Sequence, residues 1–163
     1  MARATSFGLT CEAMNANPLS PGCETTRAPL QFQTSPPHHI LVVDDDLMIR
    51  RFNTAMLLNS GYAVDDAEDG VAAWQSLGAR EYDLIITDNK MPNLTGIGLL
   101  KRIRAARMAL PVIMATGTFP TEEFTRFPWL KPAATLLKPY TAAEMLRTVK
   151  KVLREADTTA APR

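Results

Sequence analysis

The sequence predicts a doubly wound α/β domain, in which a five-stranded parallel sheet is flanked by helices on both faces. From residue 40 onward, apolar runs of four or five residues alternate with longer stretches of helical period. Parallel strands need a crossover helix between them, and the alternation supplies one each time. The length of 163 residues suits one well-packed domain and is too short for two ordinary ones.

The first half of the domain should contain three strands and two helices. We expect strands at 40–43, 62–66 and 83–87, and helices at 47–58 and 70–79. Gly61 suits the left-handed position after the first helix, and Asp69 can accept hydrogen bonds from the first amides of the second. The second strand ends in Asp65 and Asp66, which are assigned to a solvated turn.

The second half should contain three helices and two strands. We expect long helices at 96–106 and 141–156, and strands at 111–115 and 135–137. Between these strands, Pro120, Pro128 and Pro132 leave room for little more than two helical turns, so the fourth helix should be short and proline-rich, with Thr121 as its cap. Four aromatic residues of this segment could form a partner surface, but apolar aromatics next to a core more often pack, and packing is the interpretation for Phe119, Phe124, Phe127 and Trp129.

Both flanking segments are expected to be disordered. Residues 1–38 are rich in Pro, Thr, Ser, Asn and Ala and show no helical or strand period. Residues 157–163 form a short tail after the final helix. His38 and His39 are interpreted as linker residues, and the domain itself is placed at 39–156.

The composition excludes several classes of protein. The chain is 46% hydrophobic and 21% charged, with a formal net charge of +1, so it carries no sign of nucleic-acid binding. Every apolar run is shorter than the roughly 18 residues that a membrane span needs. Cys11 and Cys23 are too few for a disulfide framework or a four-cysteine metal site. We therefore expect a cytoplasmic protein that neither inserts into membranes nor binds nucleic acid directly.

Reactive residues come directly after four of the five predicted strands. They are Asp44, Asp45 and Asp46 after the first, Asp88 after the third, Thr116 after the fourth and Lys138 after the fifth. In doubly wound sheets, ligands bind at the carboxyl ends of the strands, near the point where the strand order reverses. The functional site is therefore expected at this edge of the sheet.

The charge of this cluster predicts a divalent cation. Asp44, Asp45 and Asp88 contribute three negative charges and Lys138 one positive charge, and each close pair of carboxylates repels by about 4 kcal/mol at an effective dielectric constant of about 20. Carboxylate oxygens without His or Cys nearby select Mg²⁺, or Mn²⁺ as a substitute, rather than Zn²⁺. The aspartates should therefore hold Mg²⁺, whereas Asp46 should point outward at the start of the first helix.

A carboxylate beside Mg²⁺ and an ammonium group can accept a phosphoryl group. It acts as a nucleophile when the charge on the transferring oxygens is neutralised, which Mg²⁺ and Lys138 would do around Asp88. The Thr116 hydroxyl can donate to a phosphoryl oxygen and thereby sense the modification. These residues predict that Asp88 accepts a phosphoryl group and that the Thr116 hydroxyl responds to its presence.

From residue 40 to about residue 155, the chain resembles the receiver domain of two-component response regulators. The resemblance rests on four motifs in the right order and at the right intervals: ILVVDDD, YDLIITDNKMPNLTG, LPVIMATG and LLKPYT. It implies the flavodoxin-like fold of these domains. It also implies that Asp88 is the phosphorylated aspartate and that Asp44 and Asp45 are the acidic pair that holds Mg²⁺.

The resemblance assigns roles to further residues. It implies that the backbone carbonyl of Lys90 completes the metal ligands, that Thr116 is the switch hydroxyl and that Lys138 pairs with the phosphoryl group. It also implies a cis peptide before Pro139. Receiver domains often carry an aromatic residue where this chain has Thr135, so an aromatic swing coupled to the switch is not expected here. Lys90 could also shield the acyl phosphate from water and prolong its life.

The function implied by the resemblance is that of a phosphorelay response regulator. Such a protein accepts a phosphoryl group from a sensor histidine kinase or a histidine phosphotransfer protein, and signals by conformational change to a downstream protein. Only ADTTAAPR follows Glu155, so we expect a stand-alone signalling protein without an output domain. It should not be an enzyme, apart from its own phosphorylation and dephosphorylation. The sequence leaves open whether the protein forms a homodimer.

Two other functions are compatible with part of the sequence. A haloacid-dehalogenase-like phosphatase would use Asp44 of VVDDDLM as nucleophile and Asp46 as acid, but it would need a further acidic motif late in the chain. An interaction module could keep the fold without phosphorylation, although all the expected acceptor residues are present. Phosphate uptake on Asp88 rather than Asp44 would favour the receiver.

Overall fold

A computed structural model describes residues 37–118 and 121–160. In this part of the chain, five parallel strands form one sheet in the order β2-β1-β3-β4-β5. The strands are β1 (His39–Val43), β2 (Ala63–Ala67), β3 (Leu84–Thr87), β4 (Val112–Thr116) and β5 (Ala134–Leu137). The predicted doubly wound fold is confirmed, whereas almost all of the extension 1–38 lies outside the described residues.

Helices connect successive strands, as the alternating pattern predicted. They are α1 (Leu47–Asn59), α2 (Gly70–Ala79), α3 (Gly96–Ala105), α4 (Thr121–Arg126) and α5 (Ala142–Ala160), with a 3-10 helix at Pro128–Leu130. The short fourth helix is confirmed, because α4 has only six residues. By contrast, α5 continues four residues beyond its predicted end at 156 and so enters the predicted tail. Within the described ranges, every helix is too short or too polar to cross a bilayer.

The core consists of two apolar layers, one on each face of the sheet. Alternate residues of a strand point to opposite faces, so Leu41 and Val43 enter one layer while Ile40 and Val42 enter the other. The first layer packs against α2, α3 and the 3-10 helix through Ala73, Leu99, Leu100, Ile103 and Leu130. The second packs against α1 and α5 through Leu57, Met145, Val149, Val152 and Leu153. Burial on both faces explains the continuous apolar runs of the central strands.

The strand order reverses between β1 and β3. From β1 the chain first adds β2 on one side, and β3 then returns to the other side of β1. Val43 and Thr87, the last residues of β1 and β3, are register partners. The residues that follow these two strands therefore emerge next to each other at the carboxyl edge of the sheet.

Asp46 and Asp69 cap the helices that follow β1 and β2. Asp46 accepts hydrogen bonds from the amides of Met48 and Ile49, which confirms its outward position at the start of α1. Asp69 caps α2, and Gly61 after α1 has a φ of +89°, as predicted from its left-handed position. These local signals fix where two helices begin and where one ends.

Replacing Asp69 by Ala should lower the free energy of unfolding by about 1 to 2 kcal/mol, whereas Asn should cost less because it can still cap the helix. Asp69 accepts hydrogen bonds of 2.8 Å from the amides of Val71 and Ala72. The bond from Ala72 is the main cause that lowers the pKa of Asp69, so its contribution is present at neutral pH and is lost as pH falls through the lowered value. Urea unfolding of the two variants tests this order, and equal losses would contradict it.

The assignment of Asp65 and Asp66 to a turn was wrong, because both lie inside β2. Asp65 accepts a hydrogen bond of 2.7 Å from the Tyr82 hydroxyl and pairs with Arg80 at 2.9 Å. Asp66 pairs with Arg50 at 2.8 Å. Since β2 is an edge strand, its carboxylates can reach such partners without entering the core.

The linker interpretation was also wrong for His39, the first residue of β1. Its amide donates to the Asp83 carboxylate at 2.7 Å, and its Nε2 lies 3.2 Å from Asp65 Oδ2. Its ring centroid is 4.5 Å from that of Tyr82. His38 precedes the strand.

The aromatic residues near α4 behave differently from one another. Phe124 and Phe127 pack against the core, as expected. Trp129 keeps 58% of its surface exposed, so the packing interpretation fails for this residue. Its ring instead lies edge-on to Phe127, with centroids 6.1 Å apart. Phe119 lies outside the described residues.

Candidate functional site

Three aspartates from two adjacent strand ends converge at the carboxyl edge of the sheet. Asp44 and Asp45 follow β1, and Asp88 follows β3. Each offers a carboxylate oxygen that lies within 4.8 Å of the others. Asp44 and Asp88 are only 2% and 9% exposed, whereas Asp45 faces solvent. The cluster is thus a half-open acidic cradle, as the sequence predicted.

All four polar atoms of Asp44 have partners. Its amide donates to Ala67 O at 3.2 Å, and its carbonyl oxygen accepts from Arg50 at 2.7 Å. Its carboxylate oxygens accept from the Asp46 amide at 3.0 Å and from Lys138 Nζ at 2.7 Å. Burial raises the pKa of the Asp44 carboxyl, although the hydrogen bond from Lys138 works in the opposite direction. This side chain is therefore held rigidly at the base of the cradle.

Lys138 places an ammonium group against two of the three carboxylates. Its Nζ lies 2.7 Å from Asp44 Oδ2 and 3.5 Å from Asp88 Oδ2. Burial by itself would lower the pKa of Lys138, but the hydrogen bond and negative charge of Asp44 outweigh it and raise this pKa. The lysine therefore stays charged. The peptide bond between Lys138 and Pro139 is cis, as predicted.

Asp88 is fixed through its backbone while one carboxylate oxygen faces the lysine. Its amide donates to Val43 O at 2.9 Å, which joins it to the end of β1. The Asn89 amide donates to Asp88 Oδ1 at 2.7 Å. The Asn89 amide thus occupies Oδ1, whereas Oδ2 lies 3.5 Å from Lys138 Nζ.

Thr116 and Lys90 lie at the same edge of the sheet, but in the described part of the chain no side-chain hydrogen bond or ion pair joins them to the cluster. Thr116 is the last residue of β4 and is 1% exposed, and its hydroxyl donates to Thr118 O at 3.1 Å. Its carbonyl accepts from the Lys138 amide at 2.9 Å. The Lys90 side chain is exposed in the loop after Asp88. The structure thus brings together Asp44, Asp45, Asp88 and Lys138.

The donor set fits a hard divalent cation. Three carboxylates with one ammonium leave an excess of negative charge, and the oxygens are close enough to share one ion. The exposed side of Asp45 leaves room for the waters that Mg²⁺ retains. Oxygen-only ligands favour Mg²⁺ or Mn²⁺ over softer metals.

The sequence interpretation missed two residues of α1 that support the site. Arg50 donates to the carbonyl of Asp44, and Asn53 donates to the Tyr140 hydroxyl at 2.9 Å, two residues after Lys138. Asn53 is 2% exposed. A polar residue on the buried face of an amphipathic helix was the available signal, but it does not reveal the partner.

A third missed contact lies in the loop after β3. Asn93 has a φ of +60°, and its side chain donates to Asp69, the cap of α2, at 2.5 Å. This bond ties the loop that leaves Asp88 to the neighbouring helix. The signal in the sequence was an Asn between Pro92 and Leu94, a residue type that tolerates the left-handed conformation.

Comparisons with known proteins agree with this geometry. The model of the family described as response regulator receiver domain matches residues 40–150. The chain is 30% identical over 119 residues to the probable transcriptional regulatory protein SilR of Salmonella typhimurium, covering 73% of this chain and 52% of SilR. It is 37% identical over 122 residues to the transcriptional regulatory protein ResD of Bacillus subtilis, covering 74% of this chain and 50% of ResD. The chain thus spans about half the length of these curated relatives.

A solved structure gives the same result. The receiver domain of the Francisella response regulator 1452 is 30% identical, with a TM-score of 0.67, and the match covers 72% of this chain and 98% of that one. The family match includes Asp44, Asp45, Asp88, Thr116 and Lys138, since residues 44 to 138 lie within it. This chain belongs to the response regulator receiver domain family of two-component systems.

Proposed function

We propose that this protein accepts a phosphoryl group on Asp88 in a Mg²⁺-dependent reaction and signals through the resulting conformational change. The donor would be the phosphohistidine of a sensor histidine kinase or histidine phosphotransfer protein, and the receiver of the signal a downstream protein in the cytoplasm. The observation that carries the proposal is Asp88 Oδ2 beside two further carboxylates, 3.5 Å from the Lys138 ammonium.

The proposed reaction needs a nucleophile and neutralising charge. A carboxylate oxygen of Asp88 forms the new O–P bond while the N–P bond of the donor breaks, and the donor imidazole keeps the electron pair. Lys138 lies where it can pair with the negative oxygens of the incoming group. Asp44, Asp45 and the Lys90 carbonyl would hold Mg²⁺, which when bound offsets charge on both the carboxylates and the phosphoryl oxygens.

Thr116 gives the site a route to a conformational change. Its hydroxyl now bonds to the carbonyl of Thr118. A phosphoryl oxygen on Asp88 is a stronger, charged acceptor, so the hydroxyl would turn toward it and release Thr118. Thr118 would then be free to adopt a second backbone arrangement. Thr135, which is half-buried in β5, is not aromatic. The movement of Thr118 would therefore occur without the coupled swing of an aromatic side chain.

The phosphatase alternative fits the geometry less well. Asp44, its required nucleophile, is 2% exposed, and both carboxylate oxygens already accept hydrogen bonds. Asp46, its required acid, caps α1 instead of facing the cradle. A nucleophile needs a free, accessible oxygen, which Asp88 supplies better.

Intact mass spectrometry after incubation with acetyl phosphate tests the proposal directly. With Mg²⁺ present, the full chain should gain the mass of one phosphoryl group. Chelation of the metal by EDTA should abolish the gain, because the uncompensated carboxylates would repel the donor. A chain that binds Mg²⁺ but never gains this mass would support the interaction module.

The Lys90→Ala variant should lose its phosphoryl group faster than the wild type, by about threefold to tenfold. The Lys90 side chain is exposed two residues after Asp88, where its long aliphatic stem can cover an acyl phosphate and provides no base to activate water. Decay of the phosphorylated chain after removal of acetyl phosphate measures the effect. The Lys131→Ala variant, which removes another exposed lysine outside the site, is the control. Unchanged decay in Lys90→Ala would remove the shielding role.

A further inference from the structure

We propose that Arg50 is a positioning residue for the metal site. Its guanidinium lies between β2 and the acidic loop, with Nε 2.8 Å from Asp66 Oδ2 and the terminal nitrogen 2.7 Å from the carbonyl oxygen of Asp44. The side chain is only 12% exposed although it carries a full charge. This inference rests on the proposed function, since it concerns how the same site is prepared for its cation.

The bonded carbonyl belongs to the peptide that joins Asp44 and Asp45, two of the predicted metal ligands. Because a peptide group is planar, the position of the Asp44 carbonyl fixes the plane that also contains the Asp45 amide. The direction of that plane sets where both side chains leave the backbone. Asp45 is exposed, so the orientation of this peptide controls how its carboxylate approaches those of Asp44 and Asp88.

The shape of the guanidinium matters more than its charge. A fixed planar fork can bond the Asp66 carboxylate and the Asp44 carbonyl at once, while the compact ammonium of a lysine offers no such rigid bridge. Asp66 already balances the charge of Arg50, so the pair adds little net field to the cradle. The main effect of losing Arg50 is therefore a looser acidic loop, which lowers metal affinity.

Asp65, the neighbour of Asp66 in β2, forms an ion pair that provides a matched control. Asp65 pairs with Arg80 at 2.9 Å, in an ion pair of the same type. Arg80 is 63% exposed and bonds the Asp65 oxygen that also accepts from the Tyr82 hydroxyl, away from the acidic loop. An Arg80→Met variant thus removes an arginine–aspartate pair from the same strand without touching the proposed site.

Calorimetric titration of the full chain with Mg²⁺ tests the role. We expect Arg50→Lys and Arg50→Met to weaken Mg²⁺ binding by about tenfold or more, as is usual when a group that orients metal ligands is lost. Asp66→Asn should give a smaller loss because Arg50 keeps its bond to the Asp44 carbonyl. Arg80→Met should bind like the wild type. Circular dichroism checks that each variant is folded.

A second readout separates positioning from catalysis. With acetyl phosphate, Arg50→Lys should need more Mg²⁺ for half-maximal phosphorylation yet approach the wild-type rate at saturation. The inference would be overturned if Arg50→Lys and Arg50→Met both folded and both bound Mg²⁺ with the wild-type affinity. An equal loss in Arg80→Met would overturn it as well. Mg²⁺ binding that depends on Arg50 in a chain that takes up no phosphate would instead overturn only the proposed function.

Discussion

Replacing Asp88 by Asn should reduce phosphoryl uptake from acetyl phosphate by at least about a thousandfold, the scale expected when a covalent nucleophile is removed. The neutral amide lacks the anionic oxygen that would attack phosphorus. Asn has nearly the same shape, and its side-chain oxygen can still accept the hydrogen bond from the Asn89 amide. The variant should therefore fold, and intact mass spectrometry with Mg²⁺ should show no gain in mass.

Asp83→Asn is the matched control for this experiment. Asp83 is an exposed aspartate at the opposite end of β3, where it accepts a hydrogen bond from the His39 amide. The same chemical change there should leave the phosphorylation rate unchanged. Uptake by Asp88→Asn at the wild-type rate would show that another group is the acceptor.

Replacing Gly96 by Ala should lower the free energy of unfolding by about 2 kcal/mol or more, in the upper range for overpacking a tight contact. A Cβ at this position would overlap the carbonyl oxygen of Asp88 and lie 3.0 Å from the Cα of Asn89. These are backbone atoms, which cannot rotate away as a flexible side chain could. The backbone turn after Asp88 would have to shift, so phosphorylation should slow as well. Urea unfolding and the acetyl phosphate reaction measure the two effects.

Gly78→Ala provides the comparison, because a Cβ near the end of α2 meets no atom within 4 Å. Alanine in a helix is favoured over glycine by about 0.5 to 1 kcal/mol, so this variant should be slightly more stable and should react normally. If both glycine variants changed stability alike, the close approach of Gly96 to Asp88 would not be the cause.

The fold could be predicted because its signals are local. The central strands are buried on both faces, so each is a continuous apolar run in the sequence. Asp46, Asp69 and Gly61 mark helix ends through their own hydrogen bonds or backbone angle. The acidic cradle was predictable for a related reason, since strand ends of a parallel sheet meet at one edge whatever lies between them.

What the sequence did not reveal depends on partners far apart in the chain. Asp65 and Asp66 looked like turn residues because aspartate disfavours strands. They are stable in β2 because Arg80, Tyr82 and Arg50 reach them from other elements. The same long-range pairing extends β1 to His39, whose amide meets Asp83.

The residues that hold the site in place could not be predicted from the sequence for the same reason. Arg50 lies one helical turn into α1, where a charged residue is usually solvated. Its side chain is nevertheless only 12% exposed, and it donates hydrogen bonds to the Asp66 carboxylate and the Asp44 carbonyl. Asn53 and Tyr140 are separated by 87 positions in the chain, yet their side chains form a hydrogen bond. Patterns of period and composition carry no information about such pairs.

The most direct test of the account is to locate the phosphoryl group. After the reaction with acetyl phosphate and Mg²⁺, the acyl phosphate can be trapped by borohydride reduction and the modified residue identified by peptide mass spectrometry. The account predicts a single modification, on Asp88. A modification on Asp44 would contradict the account and would favour the phosphatase chemistry.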